Sequence, residues 1–395
     1  MQISPETQLF IREHQTDDVR ALALQARKYP NVDMPTAITQ IAGRKVAAEK
    51  IPSWWEIEKI WYPKHLSLEQ CSSEITARYK ARLLQGDSLT DLTGGFGIDC
   101  SFLATGFKSA TYVERQEELC EIAAHNFPVL NLNHINIKNE DGVTYLQVMS
   151  PVDCLFLDPA RRNEHGGKTV AISDCEPNVA ELEELLLQKA NRVMIKLSPM
   201  LDLSLALKEL KQTQEVHILS VNNECKELLI LLGQTSPAEI SIHCVNLFTK
   251  GTQKEQHFVF TREQEQCSEC TYTDSLETYL YEPNASLLKA GAFRSIAAAY
   301  PVRKLHPNSH LYTSDTFIEN FPGRIFRIVN QCSFNKKEVK ENLADLKKAN
   351  VTVRNFPATV AELRKRIHLA EGGDTYLFAS TLNNGQKVLI RCEKV

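Results

Sequence analysis

Seven short apolar runs, at residues 88–93, 110–114, 135–138, 153–158, 193–198, 215–221 and 228–233, alternate with helix-favouring segments such as 117–126 and 179–190. Parallel strands need a long crossover between them, and a helix is the usual one. The alternation therefore predicts a mostly parallel sheet covered by helices on both faces. Only residues 222–227 separate the last two runs, too few for a helical crossover, so these two form an antiparallel hairpin. The expectation is a doubly wound α/β core over residues 70–235 with seven strands.

The flanking regions read differently. Residues 1–69 are helical in pattern, with runs at 17–28 and 37–49 ending near Pro52. Trp54, Trp55, Trp61 and Tyr62 follow; such a cluster can stack on bases, but a packing seam between units is the better reading. Residues 236–278 hold two strands, at 238–248 and 257–261, and a polar linker at 262–275. Beyond residue 279 come a helix at 286–300, a strand at 324–329, a charged helix at 336–350, a strand at 351–354 and a helix at 359–367. A terminal hairpin pairs 375–380 with 387–392 around Asn384 and Gly385. This is the pattern of a small α/β unit.

Composition narrows the classes. No apolar stretch approaches the roughly 20 residues of a membrane span, and the N-terminus lacks an apolar signal region, so a cytoplasmic protein with no membrane partner is expected. The eleven cysteines are scattered through predicted strands and helices and read as reduced thiols. Cys267 and Cys270 lack a second matching pair, and no metal site is expected even with Cys244 and His257 nearby. The net charge of −4 is uneven: residues 281–395 hold 18 Lys and Arg against 10 Asp and Glu, a balance of +8 that leaves −12 for the rest. A basic module on an acidic one suits a polyanionic partner or a merely solvated face.

The chemistry starts at Asp91-Leu92-Thr93-Gly94-Gly95-Phe96-Gly97, where a strand leaves the sheet and a helix begins. It resembles the acidic-x-Gly-x-Gly-x-Gly turn of methyltransferases, with Thr93 at the first glycine position. Gly95 and Gly97 would let the backbone approach a cofactor. The next strand ends in Glu114, able to accept two ribose hydroxyls, and the third in Asn139-Glu140-Asp141, where Asp141 could meet an adenine amine. Helix capping is the alternative role for both acids. A nicotinamide fingerprint would need a third glycine where Ile98-Asp99-Cys100 stands, which makes a dinucleotide oxidoreductase the minor reading.

Asp158-Pro159-Ala160-Arg161 closes the fourth strand and resembles the tetrad with which nucleobase methyltransferases hold an acceptor amine. Asp158, Pro159 and Arg161 are the candidate catalytic residues. Arg161 stands where amine methyltransferases usually carry an aromatic ring, and Arg162 could hold a phosphate. A C5-pyrimidine enzyme would need a cysteine nucleophile at the end of the next strand, where Lys196-Leu197-Ser198-Pro199 offers a serine. The loop His165-Gly166-Gly167-Lys168 reads as a segment that closes over substrate or as plain surface.

Together with Gln70-Cys71-Ser72-Ser73-Glu74, Thr76-Ala77-Arg78-Tyr79-Lys80, Tyr281-Glu282-Pro283-Asn284 and Lys289-Ala290-Gly291, these motifs resemble a bacterial family of class I methyltransferases. The resemblance spans nearly the whole chain. It implies S-adenosylmethionine as cofactor, a ferredoxin-like unit at 279–322 and a THUMP-like domain at 323–395, and, by analogy with RNA enzymes carrying THUMP domains, a tRNA or rRNA substrate. In that reading Arg364, Lys365 and Arg366 grip the RNA backbone. A protein or small-molecule methyltransferase, and a nonenzymatic RNA-binding protein with a vestigial cofactor fold, are the alternatives.

Overall fold

The computed structural model describes residues 3–161, 171–235 and 237–395. The chain forms two compact units, residues 1–214 with 228–237, and residues 215–227 with 238–395. In the first unit β1 (Ser88–Asp91), β2 (Ser109–Glu114), β3 (Ile135–Asn139) and β4 (Val152–Leu157) are parallel neighbours. β5 (Ala160–Arg161) and β6 (Cys175–Glu176) make a separate two-residue antiparallel pair. β7 (Ala190–Leu197) lies parallel to β4. Apolar residues dominate β4 and β7 because both faces of those strands are buried, and β1, though it carries Thr90 and Asp91, is buried over its last three residues. β3, at the sheet edge, carries Lys138 and is only partly buried.

β8 (Thr213–Val221) and β9 (Glu224–Gly233) form the expected hairpin. The turn is tighter than residues 222–227 suggest. Asn222 and Asn223 take left-handed backbones at φ 49° and 68°, the geometry a two-residue hairpin turn demands. β9 runs antiparallel to β7, which gives the strand order β3-β2-β1-β4-β7-β9-β8. In the second unit β10 (Ser241–Leu247) runs parallel to β8 and antiparallel to β11 (Glu255–Thr261).

The second unit has its own sheet. β12 (Tyr279–Pro283), β13 (Arg303–Lys304), β14 (Tyr312–Ser314), β15 (Gly323–Ser333), β16 (Lys348–Val353), β17 (Ala370–Thr381) and β18 (Lys387–Lys394) run in the order β13-β14-β12-β15-β18-β17-β16. Only β16 and β17 are parallel. Leu280, Phe326, Phe378 and Ile390 centre one core cluster, and Leu343, Leu363, Leu377 and Leu389 another. The last four tie the helices Lys336–Leu343 and Val360–Ile367 to this sheet.

Local structure departs from the sequence expectation in four places. The expected helix at 286–300 is two, Ala285–Ala290 and Ser295–Ala299, because Gly291 ends the first at φ 78°. The charged helix at 336–350 stops at Leu343, since Ala349 and its neighbours pair with β17 instead. The polar linker at 262–275 opens with a helix, Arg262–Cys267, nucleated by a capping box between Thr261 and Gln264. Residues 17–28 split into the helix Val19–Leu24 and a 3-10 turn, Ala26–Lys28. Within the first unit Trp54 and Tyr62 pack with Phe96, Ile98 and Phe102, and Trp61 stacks on His125 at 3.7 Å, so these rings serve packing inside one unit rather than a seam between two. Trp55 is 41 % exposed. None of the eleven cysteines is in a disulfide, and among the described residues no helix is long and apolar enough to cross a membrane.

Candidate active site

The turn after β1 is fixed to its neighbours by backbone bonds. The Leu92 N–H donates to the Phe156 carbonyl at 3.0 Å and the Gly94 N–H to the Val113 carbonyl at 2.8 Å, tying the turn to β4 and β2. Gly95 and Gly97 adopt left-handed backbones at φ 55° and 85°, which other residues reach only at a cost. Gly94, which the sequence pattern does not single out, is the tightest position of the three. A Cβ there would lie 2.2 Å from the ring of fully buried Tyr112.

Glu114 closes β2 with its carboxylate against this turn. Oε2 accepts from the Gly95 N–H at 2.9 Å and Oε1 from the Gln116 N–H at 2.8 Å. A carboxylate offers roughly four lone-pair sites, so two remain for a vicinal diol. The residues therefore fit the ribose of an adenosyl cofactor. Asp141 takes up the capping role: Oδ1 accepts from the backbone of Val143 and Thr144 and from the Thr144 hydroxyl, starting the helix Gly142–Val148. That helix begins hard against the turn, since a Cβ on Gly142 would meet the Leu92 carbonyl oxygen at 2.2 Å.

Thr93 links the turn to the tetrad. Its N–H donates to Asp91 Oδ1 at 2.9 Å, and its hydroxyl accepts from the Asp158 N–H at 2.6 Å. Pro159 is buried. Asp158 Oδ2 pairs with Lys196 Nζ at 2.5 Å. The same ammonium lies 3.3 Å from Asp99 Oδ2, and Lys80 Nζ lies 2.8 Å from Asp99 Oδ1. Ser72 Oγ bridges the group, accepting from Lys80 and Lys196 at 2.7 and 3.0 Å and donating to Asp99 at 2.7 Å. Two cations and two carboxylates thus neutralise one another at the carboxyl ends of β4 and β7, where open α/β sheets bind ligands.

The carboxyls respond unequally. Burial alone would raise Asp99, but Lys80 and Lys196, with hydrogen bonds from Lys80 and Ser72, hold it down to about 2. Burial pushes Asp91 up to about 8, with the Thr93 N–H offsetting only part. Burial also raises Asp158, against the pull of Lys196; its side chain is still 38 % exposed, so solvent tempers the rise. Sequence reasoning missed Ser72, Lys80, Asp99 and Lys196 as a set. The available signal was a charge in each of two apolar segments, Asp99 between Ile98 and Cys100 and Lys196 between Ile195 and Leu197.

Other expected site residues fall elsewhere. Arg161 is described by its backbone alone, in β5. Arg162 and the segment His165–Lys168 lie outside the described residues. In the second unit Arg364 pairs with Glu371 at 2.9 Å, Arg366 packs 4.0 Å over the Phe334 ring, and Lys365 is exposed.

Residues 279–322 match a ferredoxin-like domain family and residues 323–394 a THUMP domain-like family. No curated protein matches the chain. A crystal structure of a "putative methyltransferase" from Porphyromonas gingivalis W83 is 35 % identical and superposes with a TM-score of 0.87, covering 98 % of this chain and 97 % of that one. An rRNA methylase from Streptococcus thermophilus is 14 % identical over 40 % of this chain and 93 % of its own, at a TM-score of 0.30. A Streptococcus mutans "putative methyltransferase" in complex with SAH has the same identity and TM-score, over 40 % of this chain and 96 % of that one. From the identity it shares with the Porphyromonas protein over nearly the full length of both, this chain belongs to that family, class I methyltransferases that carry ferredoxin-like and THUMP-like domains at the C-terminus.

Proposed function

We propose that the protein is an S-adenosylmethionine-dependent methyltransferase that modifies a nitrogen of an RNA base. The observation that carries this reading is the gathering of Gly95, Glu114 and Asp158 at the carboxyl ends of β1, β2 and β4, linked by the contacts from Gly95 to Glu114 and from Thr93 to Asp158. When bound, the cofactor supplies an electrophilic methyl group. Glu114 would hold the ribose hydroxyls with its remaining lone pairs, and Gly95 and Gly97 keep the turn clear of side chains. Asp141, which starts the neighbouring helix, would border the adenine of a bound cofactor. Asp158 has Oδ2 committed to Lys196, which leaves Oδ1 to accept from the acceptor amine. An amine that gains a methyl group must lose a proton, and a carboxyl raised by burial is better suited to receive it than an ordinary aspartate. Pro159 stiffens the turn that aims Asp158. Arg161 and Arg162 are assigned to the base or its phosphate.

RNA as the substrate class rests on the THUMP-like match at 323–394 and on the +8 balance of residues 281–395. Mass spectrometry of nucleosides from total RNA, with and without the gene, tests the proposal. One methylated nucleoside should vanish in the deletion strain and return with the wild-type gene. An unchanged nucleoside profile would reject RNA as the substrate. Calorimetry tests the cofactor separately: Glu114→Ala should weaken S-adenosylmethionine by about 1–3 kcal/mol, the worth of charge-assisted hydrogen bonds.

A further inference from the structure

Three imidazoles lie in a row across β8, β10 and β11. The register pairs His217 with His243, and Val245 with His257, so all three histidines leave the same face of the sheet. Glu215, two residues before His217 on β8, shares that face. The His217 and His243 rings stack with centroids 4.3 Å apart and 18° between planes, and those of His243 and His257 at 5.3 Å and 28°. His243 Nδ1 is 3.1 Å from His257 Nε2, and His217 Nε2 is 3.2 Å from Glu215 Oε2. One donor atom from each of Glu215, His217 and His243 falls within 4.8 Å of the others. The row grades from buried His217, through half-buried His243, to exposed His257.

Two imidazole nitrogens 3.1 Å apart can share one proton or one cation. In a tetrahedral site with bonds of roughly 2.0–2.1 Å, neighbouring donors sit about 3.3 Å apart. The 3.1 and 3.2 Å spacings already match that edge.

We propose that Glu215, His217, His243 and His257 bind a divalent transition-metal ion of the zinc type, which ties β8, β10 and β11 together. Three imidazoles and one carboxylate suit zinc, nickel, cobalt or copper; magnesium and calcium prefer oxygen donors throughout. Binding replaces the protons these side chains now share. Stacked parallel rings cannot aim two lone pairs at one point. His217 or His243 therefore turns about its Cβ–Cγ bond when the ion enters, and the strand register is unaffected. The proposal uses no residue of the cofactor turn and does not depend on the methyltransferase reading.

The test uses the full chain stripped with a chelator, Zn2+ in calorimetry and melting experiments, and Co2+ in absorption spectroscopy. One equivalent of Zn2+ should bind with a Kd in the micromolar range or tighter and raise the melting temperature. Co2+ should give visible bands without strong near-ultraviolet thiolate absorption. His257→Gln, on the exposed edge strand, should weaken Zn2+ by about tenfold or more. His243→Asn should abolish binding, and the double variant Cys267→Ser, Cys270→Ser should leave it intact. Zn2+ affinity that is unmeasurable in the wild type, equal in His257→Gln, or lost only in the cysteine variant would overturn the proposal. If circular dichroism shows His243→Asn misfolded, His257→Gln alone decides.

Discussion

Asp91 and Asp99, eight positions apart and both buried, pull stability in opposite directions with pH. The Asp91 carboxyl, raised to about 8, keeps its proton in the fold while an unfolded aspartate has lost it above about pH 4. Between those values the folded state binds the extra proton, so the Asp91 contribution falls as pH rises. Asp99, held at about 2, does the reverse: its contribution is present above about pH 4 and is lost as pH falls toward 2. Asp91→Asn keeps an acceptor for the Thr93 N–H and cannot ionise. Its melting temperature should therefore match wild type near pH 4 to 5 and equal or exceed it near pH 8. A loss at every pH would show Asp91 to be needed as an anion. At the other end of the network, Lys196→Met removes the cation that steadies Asp158 while Lys80 still holds Asp99. Asp158 then ionises less readily, and the pH–rate profile of methyl transfer should move to higher pH with cofactor affinity changed little. A profile that stays in place would separate Lys196 from the chemistry.

At the scale of elements, the strand–helix alternation was legible because period and length are local properties of the chain. The hairpin β8–β9 was legible because its connection is too short for anything else. The buried network was not, since Ser72, Lys80, Asp99 and Lys196 come from four separate segments, with Ser72 and Lys196 124 positions apart. The histidine row was hidden in the same way, its members carried by three strands with no ligand spacing in common. The glycine turn sits between these cases. Its glycines are visible, but which of them packs tightly depends on Tyr112 one strand away. A methyl group added at Gly95 would have nothing nearer than the Thr93 carbonyl at 3.7 Å, so Gly95→Ala should cost only the left-handed backbone, about 1–2 kcal/mol. Gly94→Ala must displace the Tyr112 ring, whose hydroxyl donates to the Gly95 carbonyl at 2.5 Å. It should cost about 1–3 kcal/mol of stability by overpacking and weaken the cofactor as well. Urea unfolding with calorimetry distinguishes the two variants. Equal losses without any effect of Gly94→Ala on cofactor binding would mean that the turn repacks freely.

For the whole molecule the charge division decides where a polyanion can be held. Residues 1–280 carry −12 and repel phosphates, so RNA affinity should come from the +8 of residues 281–395. That portion is not uniformly available. Arg324 and Arg354 are spent on buried Glu282, Arg364 on Glu371, and Arg391 on Asp345. The expected grip of Arg364, Lys365 and Arg366 therefore offers mainly Lys365, with Arg366 lying over Phe334. Exposed Lys336, Lys337 and Lys340 crowd one short helix instead, and Lys347 and Lys348 follow it. These ammonium groups can neutralise phosphates and release counterions without first breaking an ion pair. Replacing Lys336, Lys337 and Lys340 with alanine should weaken binding of labelled cellular RNA. Each lost phosphate contact should flatten the slope of log affinity against log salt by roughly 0.7–0.9. Arg364→Ala should change affinity far less, because its charge is already shared with Glu371. If the triple lysine variant keeps the wild-type salt slope while Arg364→Ala loses it, the Val360–Ile367 helix is the RNA grip after all. If neither moves, the substrate is not held through this basic module, and a protein or small-molecule acceptor becomes the better reading.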